Sequence, residues 1–161
     1  AIKLVKGGYV NLHPSLLPYN KGMHPWYWCI RDNTPAGNTI HYIDEKIDNG
    51  SIIIQKEVKK LIADTGETIY NKLINEMKDL FKANWQFILT HEKRNAHEPK
   101  GKGTFHYSKE LDKDSHINLE KMYKAKDILN ILRARSFKNG DCAYFYSNNV
   151  KYQVRIDINP V

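Results

Sequence analysis

Asn11-Leu12-His13-Pro14-Ser15-Leu16-Leu17-Pro18 is the stretch on which the reading of this chain turns. The apolar pair Tyr9-Val10 precedes it and reads as the end of a buried strand, so a strand is expected over Tyr9–Leu12. Two prolines bracket the turn that follows, because each fixes its own φ and drives the preceding residue out of helical geometry. The strand therefore stops abruptly and presents Asn11 and His13 near its carboxyl end. Residues at i and i+2 share one face of a strand, so an amide and an imidazole can converge on one point. In open α/β sheets, the crevice beyond the carboxyl ends of the strands is where ligands bind. Taken alone, an Asn-x-His pair more often caps a turn than serves a site. The surrounding sequence has to decide.

With 161 residues the chain can bury one substantial core, or one core plus a small appendage. No apolar run approaches the length of a membrane span, and no signal-peptide pattern is read, so a soluble protein is expected. Cys29 and Cys142 form no framework or metal cluster. They read as reduced core thiols of a cytoplasmic protein, and no metal is expected. The formal charge of +7, from 25 Lys and Arg against 18 Asp and Glu, favours anionic partners. Basic domains commonly bind phosphate backbones, but these lysines are spread along the whole chain. A solvated basic surface is the expectation, and nucleic acid is not.

Along the chain, Ala1 to Val5 reads as the end of a helix broken by Gly7-Gly8. Tyr19 to Gly22 is a loop, and His24 to Arg31 a short helix with Pro25 in its first turn. Strands are expected over Asn38–Ile43 and Ser51–Glu57, the latter covered on both faces because Ile52-Ile53-Ile54 is unbroken. Asp64-Thr65-Gly66-Glu67 fits a capping box with Asp64 and Glu67 as its two side chains. Ile69, Leu73, Met77, Leu80, Phe81, Trp85 and Ile88 then recur at helical spacing to about Thr90. Glu92 to Gly103 is a polar linker. Ala125 to Arg135 is a helix with Ile128, Leu129 and Leu132 on one face. Ala143–Tyr146 and Val150–Ile158 flank Ser147-Asn148-Asn149 as a β-hairpin, with alternating residues of the second arm buried.

Followed by Gly22, Thr39-Ile40-His41-Tyr42, Ile47-Asp48-Asn49-Gly50 and Ile52-Ile53-Ile54-Gln55, the opening octapeptide resembles the formyltransferases that use N10-formyltetrahydrofolate. The resemblance implies an α/β fold, with residues 1–91 as the C-terminal half of a Rossmann-like formyltransferase domain. A linker at 92–103 then leads to a small α+β unit with a hairpin at 104–161. It also implies a fragment, because the strand–helix units that hold much of the folate in that family would precede Ala1. Such a fragment by itself would lack half of the folate cleft.

Formyl transfer to an amine needs a base for the attacking nitrogen and donors for the developing oxyanion. An imidazole exchanges protons near neutral pH, and an amide NH₂ is a neutral donor. A carboxylate can orient the imidazole and stabilise its protonated form. By resemblance, Asn11, His13 and Asp48 correspond to the catalytic trio. Asp44, in the same loop, is the rival carboxylate and is read as a solvated turn residue. His41 either supports the site from behind or is a strand histidine with a satisfied hydrogen bond. Ile43, Asp44, Ile47 and Asp48 belong to the loop that wraps the pterin ring in this family, chiefly through backbone groups.

The acceptor is read from weaker signals. Gly103 to Lys109, Asp127 to Arg135, Tyr19 to Gly22 and His24 to Trp28 resemble the sugar N-formyltransferases. That resemblance implies a nucleotide-linked, dTDP-bearing 3- or 4-amino-dideoxy sugar, and a role in cell-surface glycan synthesis. Lys102, Lys109, Arg133 and Arg135 are candidates for its pyrophosphate. Trp26, Tyr27 and Tyr107 are candidates for stacking, and Tyr19, Lys21 and His24, on the adjoining segments, are further candidates for binding the substrate. Methionyl-tRNA formyl transfer and a silent nucleotide-binding module stay open as alternatives. The family also implies a homodimer, with the hairpin or the second unit as its interface.

Overall fold

The computed structural model describes residues 8–140 and 142–160. The expected helix end at Ala1–Val5 lies outside them. Strand β1 (Val10–His13) opens the described chain, one residue later than expected. Short strand β2 (Lys21–Gly22) and helix α1 (Pro25–Arg31) follow. Next come β3 (Gly37–Tyr42), β4 (Ile52–Glu57) and the long helix α2 (Gly66–Thr90). Beyond it stand β5 (Phe105–His106), α3 (Ser108–Ser115), α4 (Ala125–Ala134) and the hairpin β6 (Ala143–Ser147) and β7 (Val150–Val154). No helix among the described residues is long and apolar enough to cross a membrane.

The central sheet is antiparallel, in the order β1-β3-β4. Every residue of β3 is buried, and the period of two sends its side chains to opposite sides. On one side, Ile40 and Tyr42 pack with Ile53, Met77, Leu80 and Ile88, while the Asn38 amide donates to the Leu73 carbonyl at 2.9 Å. On the other side stand Thr39 and His41. The register pairs Asn11 with His41 and His13 with Thr39, so both motif side chains join that second side. The β3/β4 register slips between Ile40 and His41, a local irregularity of the kind found beside active sites.

Helix α2 carries the apolar stripe read from the sequence, and the stripe serves two cores. Ile69 and Leu73 join Tyr27, Trp28, Cys29, Ile30, Leu111 and Ala134 in the first. Met77, Leu80 and Ile88 belong to the second. Trp85 departs from the expectation at 44% exposed, with its ring edge-on to Phe81 at 5.2 Å. The capping residues also differ. Thr65 is the N-cap, reciprocally bonded with Thr68, and Glu67 instead accepts from the Lys138 N–H. Asp64 is drawn away to the Leu61 N–H and to Lys72.

The second half of the chain departs further from expectation. Helix α3 and the parallel pairing of β2 with β5 went unseen, the latter because two-residue strands carry no readable period. The polar segment after α2 is tied to the sheet, since Ile52 and His97 exchange backbone hydrogen bonds. In α4 the buried face holds Asn130, Ile131, Arg133 and Ala134, while Leu129 is 42% exposed. The reason is polar: Arg133 donates to the Leu61, Ile62 and Asp64 carbonyls and to the Asn130 side chain, which rotates that face inward. The hairpin turn is as read, with Asn148 and Asn149 both at positive φ. Its second arm stops at Val154, and the expected alternation fails at Val150 and Tyr152, which are about half exposed, while Val154, Ile156 and Ile158 are half-buried between exposed neighbours.

Leu73→Ala should lower unfolding stability by about 2–5 kcal/mol, the range for emptying a packed core site. Thr65→Ala should lower it by about 1 kcal/mol through the lost cap. Urea titrations of the two variants against the parent check both values and their order.

Candidate active site

The site forms where the second side of the sheet meets the loop after β3. Asp48 sits in that loop with φ of 48°, a left-handed conformation that costs a non-glycine residue about 1 kcal/mol. Its carboxylate accounts for the conformation. Oδ1 accepts from the Asn11 amide at 3.1 Å, and Oδ2 accepts from the Gly22 N–H at 2.8 Å. His41 Nε2 lies 3.6 Å from Oδ1, and His13 Nδ1 lies 3.6 Å from Oδ2. One carboxylate therefore faces two imidazoles, an amide and a backbone N–H. Asp44 takes no part, for its Oδ1 accepts from the Lys46 N–H within an exposed turn.

The tautomers follow from the carbonyl partners, since a carbonyl can only accept. His41 Nδ1 is 2.8 Å from the Tyr42 oxygen, so it carries the proton and Nε2 offers its lone pair. The Asn11 Nδ2 points at that lone pair from 3.3 Å as well as at Asp48. Both N–H bonds of Asn11 are thus committed within the site. His13 Nε2 is 3.1 Å from the Asn20 oxygen and carries the proton, leaving Nδ1 bare beside Asp48. At 3.6 Å that gap is too long for a hydrogen bond. His13 is oriented by the Asn20 carbonyl, a partner the sequence reading missed.

Burial pushes the His13 imidazole below its ordinary value; Asp48 and the Asn20 carbonyl act the other way without overcoming it. Burial would push the Asp48 carboxyl up, but His41, His13 and the Gly22 N–H together hold it below its ordinary value. The result is a neutral, bare imidazole nitrogen beside an ionised carboxylate. That pairing can take up a proton at Nδ1 and hold it. An acyl acceptor placed at Nδ1 would find a base whose protonated form already has a counter-charge.

Next to Asp48 opens a cavity of about 470 Å³, lined by Lys21, Lys46, Ile47, Asn49, Gly103, Thr104 and Phe105. Lys21 reaches across it to the Asn49 side chain at 2.5 Å. Ile47 is 63% exposed at its mouth, an apolar side chain without cover. Ile43 is held by its N–H on the Tyr9 carbonyl. Lys102, Tyr107 and Lys109 are exposed on the segment that forms the far wall, and Tyr19 is partly buried in the turn before β2.

Other candidate binding residues do not converge there. Tyr27 is fully buried and donates its hydroxyl to Asp114 at 2.6 Å, which leaves its ring no free face for a base. Arg133 is 3% exposed and spent on loop carbonyls, so it is a structural cation rather than a pyrophosphate ligand. Arg135 is buried with a carboxylate partner in Asp112. His24 sits at the N-cap of α1 near that pair, and Trp26 packs edge-on against Phe137 at 4.8 Å. These residues lie around α1 and α4, outside the lining of the cavity.

Comparison with known proteins places this geometry in context. Residues 110–160 match the N-formyltransferase dimerization C-terminal domain. The chain is 29% identical over 152 residues to a dTDP-4-amino-4,6-dideoxyglucose formyltransferase of Mycobacterium tuberculosis, covering 94% of this chain and 64% of the relative. It thus spans about two thirds of the length of that curated relative. A crystal structure of a 4-N formyltransferase from Francisella tularensis is similar with a TM-score of 0.87 and 29% identity, over 94% of this chain and 63% of the other. An N-formyltransferase from Helicobacter canadensis, in complex with folinic acid and dTDP-3-aminofucose, is similar with a TM-score of 0.75 and 29% identity, over 90% and 53%. Residues 1–83 match the formyl transferase family, and with the Asn11, His13 and Asp48 cluster at its centre this chain belongs to that family.

Proposed function

We propose that the whole protein transfers a formyl group from N10-formyltetrahydrofolate to the amine of a nucleotide-linked 3- or 4-amino-dideoxy sugar carried on dTDP. The observation that carries this reading is the convergence of Asn11, His13 and Asp48 on one buried carboxylate-centred cluster. The sugar acceptor is supported by the likeness to a dTDP-amino-sugar formyltransferase across both halves of the chain. In the proposed mechanism the sugar amine approaches His13 Nδ1, which removes a proton as nitrogen attacks the formyl carbon. Asp48 stabilises the resulting imidazolium at close range. The oxyanion draws one Asn11 N–H away from its longer contact, the 3.3 Å one to His41. The protonated cluster then returns a proton to the departing folate nitrogen. Ile47, at the mouth of the cavity, covers an aromatic ring on the folate side, and Lys21 meets an anionic part of a substrate. Residues 1–91 supply the catalytic part and 104–161 the extension that completes it.

A homodimer is part of the same proposal. Tyr146, Val150 and Tyr152 are 52%, 50% and 46% exposed on the hairpin, within the stretch that matches a dimerization domain. Sedimentation of the full-length protein should give a dimer, and Tyr152→Glu should shift it toward monomer. A parent protein that sediments as a monomer at micromolar concentration rules this interface out.

Assay of the full-length protein with formyl-folate against a panel of amino-sugar nucleotides should give turnover with a dTDP-linked 3- or 4-amino sugar. Turnover with methionyl-tRNA alone overturns the acceptor. His13→Ala should cost about 10²–10⁴-fold in kcat, as expected of a lost general base. Asn11→Ala should cost about 10²–10³-fold through the lost oxyanion donor.

The pH dependence has a defined sign. His13 must be neutral to act as base, and its depressed value places the acid limb of kcat/KM below 6.5. Asp48 raises the His13 value, so Asp48→Asn should move the limb to still lower pH while lowering the rate. A limb centred above pH 7 in the parent enzyme would contradict His13 as the base.

A further inference from the structure

Catalytic His13 takes its orientation from a backbone carbonyl, and that carbonyl is itself held by the far half of the chain. Asn20 is 1% exposed and left-handed at φ of 55°, a region that non-glycine residues seldom occupy. Its N–H donates to the Thr104 hydroxyl oxygen at 2.7 Å, and the Thr104 hydroxyl donates back to Asn20 Oδ1 at 3.2 Å. Asn20 Nδ2 donates to Thr34 Oγ1 at 2.8 Å. The remaining polar atom, the carbonyl oxygen, accepts from His13 Nε2. Thr104 stands 84 positions after Asn20 and falls between the two stretches matched to known domains.

The backbone around this contact leaves little room for adjustment. The Lys21 N–H donates to the Thr104 carbonyl at 3.0 Å, and the Thr104 N–H donates to the Pro18 carbonyl at 3.3 Å. A Cβ on Gly103 would stand 2.2 Å from the Pro18 oxygen, and one on Gly22 would stand 2.3 Å from the His106 oxygen. Only glycine permits so close an approach at both points. His106 also stacks on Trp28 with ring centroids 3.9 Å apart, which anchors the segment to α1.

We infer that Thr104 is a positioning residue for the formyl-transfer reaction: by clamping Asn20 it fixes the His13 ring with Nε2 protonated and Nδ1 bare toward Asp48. The inference rests on His13 being the proposed base, but the ring state it describes exists with or without turnover. Without the clamp the Asn20 carbonyl turns, the Nε2–H loses its acceptor, and the ring populates both tautomers. The reactive nitrogen is then available for only part of the time. Misplacement of this kind, remote from the reacting atoms, lowers the rate.

The test uses the full-length protein with ¹⁵N-labelled histidine. Above the His13 pKa, the parent should show a single Nε2-protonated tautomer. Thr104→Val, of equal shape but without the hydroxyl, should give a tautomer mixture and a kcat lower by about tenfold, while Thr104→Ser restores both. A Val variant that keeps the single tautomer overturns the inference, whatever its rate. So does one that loses the tautomer but keeps the parental kcat. Should the Val variant fail to fold, hydrogen exchange of the parent decides: slow exchange of the Asn20 amide supports the clamp, and exchange at the rate of an open loop overturns it. An inactive parent with a single Nε2 tautomer would count against formyl transfer and leave the clamp standing, because the ring state is read independently of turnover.

Discussion

The antiparallel register of β1 on β3 is the constraint from which the site follows. Pairing Asn11 with His41 and His13 with Thr39 places four polar side chains on the face opposite Ile40 and Tyr42. A slip of β1 by one residue would turn Asn11 and His13 into the apolar cluster under α2 and Leu12 onto the polar face. The apolar face enforces the register, because burying Asn11 and His13 against Met77 and Leu80 without partners would cost several kcal/mol. Hydrophobic burial on one side of the sheet therefore sets the geometry of the polar cluster on the other.

Asp48 completes what the register begins. Its left-handed backbone is tolerable because the carboxylate gains an amide and a backbone N–H, with two imidazoles close by. Those partners come from β1, β2 and β3, so a single side chain ties the three elements together. The same contacts keep Asp48 ionised while burial keeps His13 neutral. Structural cohesion and acid–base readiness thus depend on one set of interactions.

The C-terminal half contributes more than an appendage would. Segment 103–106 lies against the Pro18–Gly22 turn and forms a wall of the cavity, and α4 sends Arg133 into the loop before α2. The buried cations of α4 hold the fold, while Lys21 and Lys46 remain at the cavity. Burial separates these roles: a guanidinium that is 3% exposed with carbonyl partners cannot also meet a substrate phosphate.

The sequence by itself determined the local features. Asn11 and His13 were legible because the motif's prolines and spacing lie within one short stretch, whereas Asp48, 37 positions beyond Asn11, was named only through the family resemblance. The period of α2 was legible because 25 residues repeat one pattern, and the hairpin turn because two adjacent asparagines readily adopt positive φ. The tertiary structure alone decided which carbonyl orients His13, that both Asn11 N–H groups are spent inside the site, and that Tyr27 and Arg133 are buried. It also decided that Leu129, Val150 and Tyr152 face outward. Each of these depends on contacts between residues far apart in the chain, such as Asn20 with Thr104 or Arg133 with Asp64. Local periodicity and composition carry no record of such partners, because they arise only when separate elements pack.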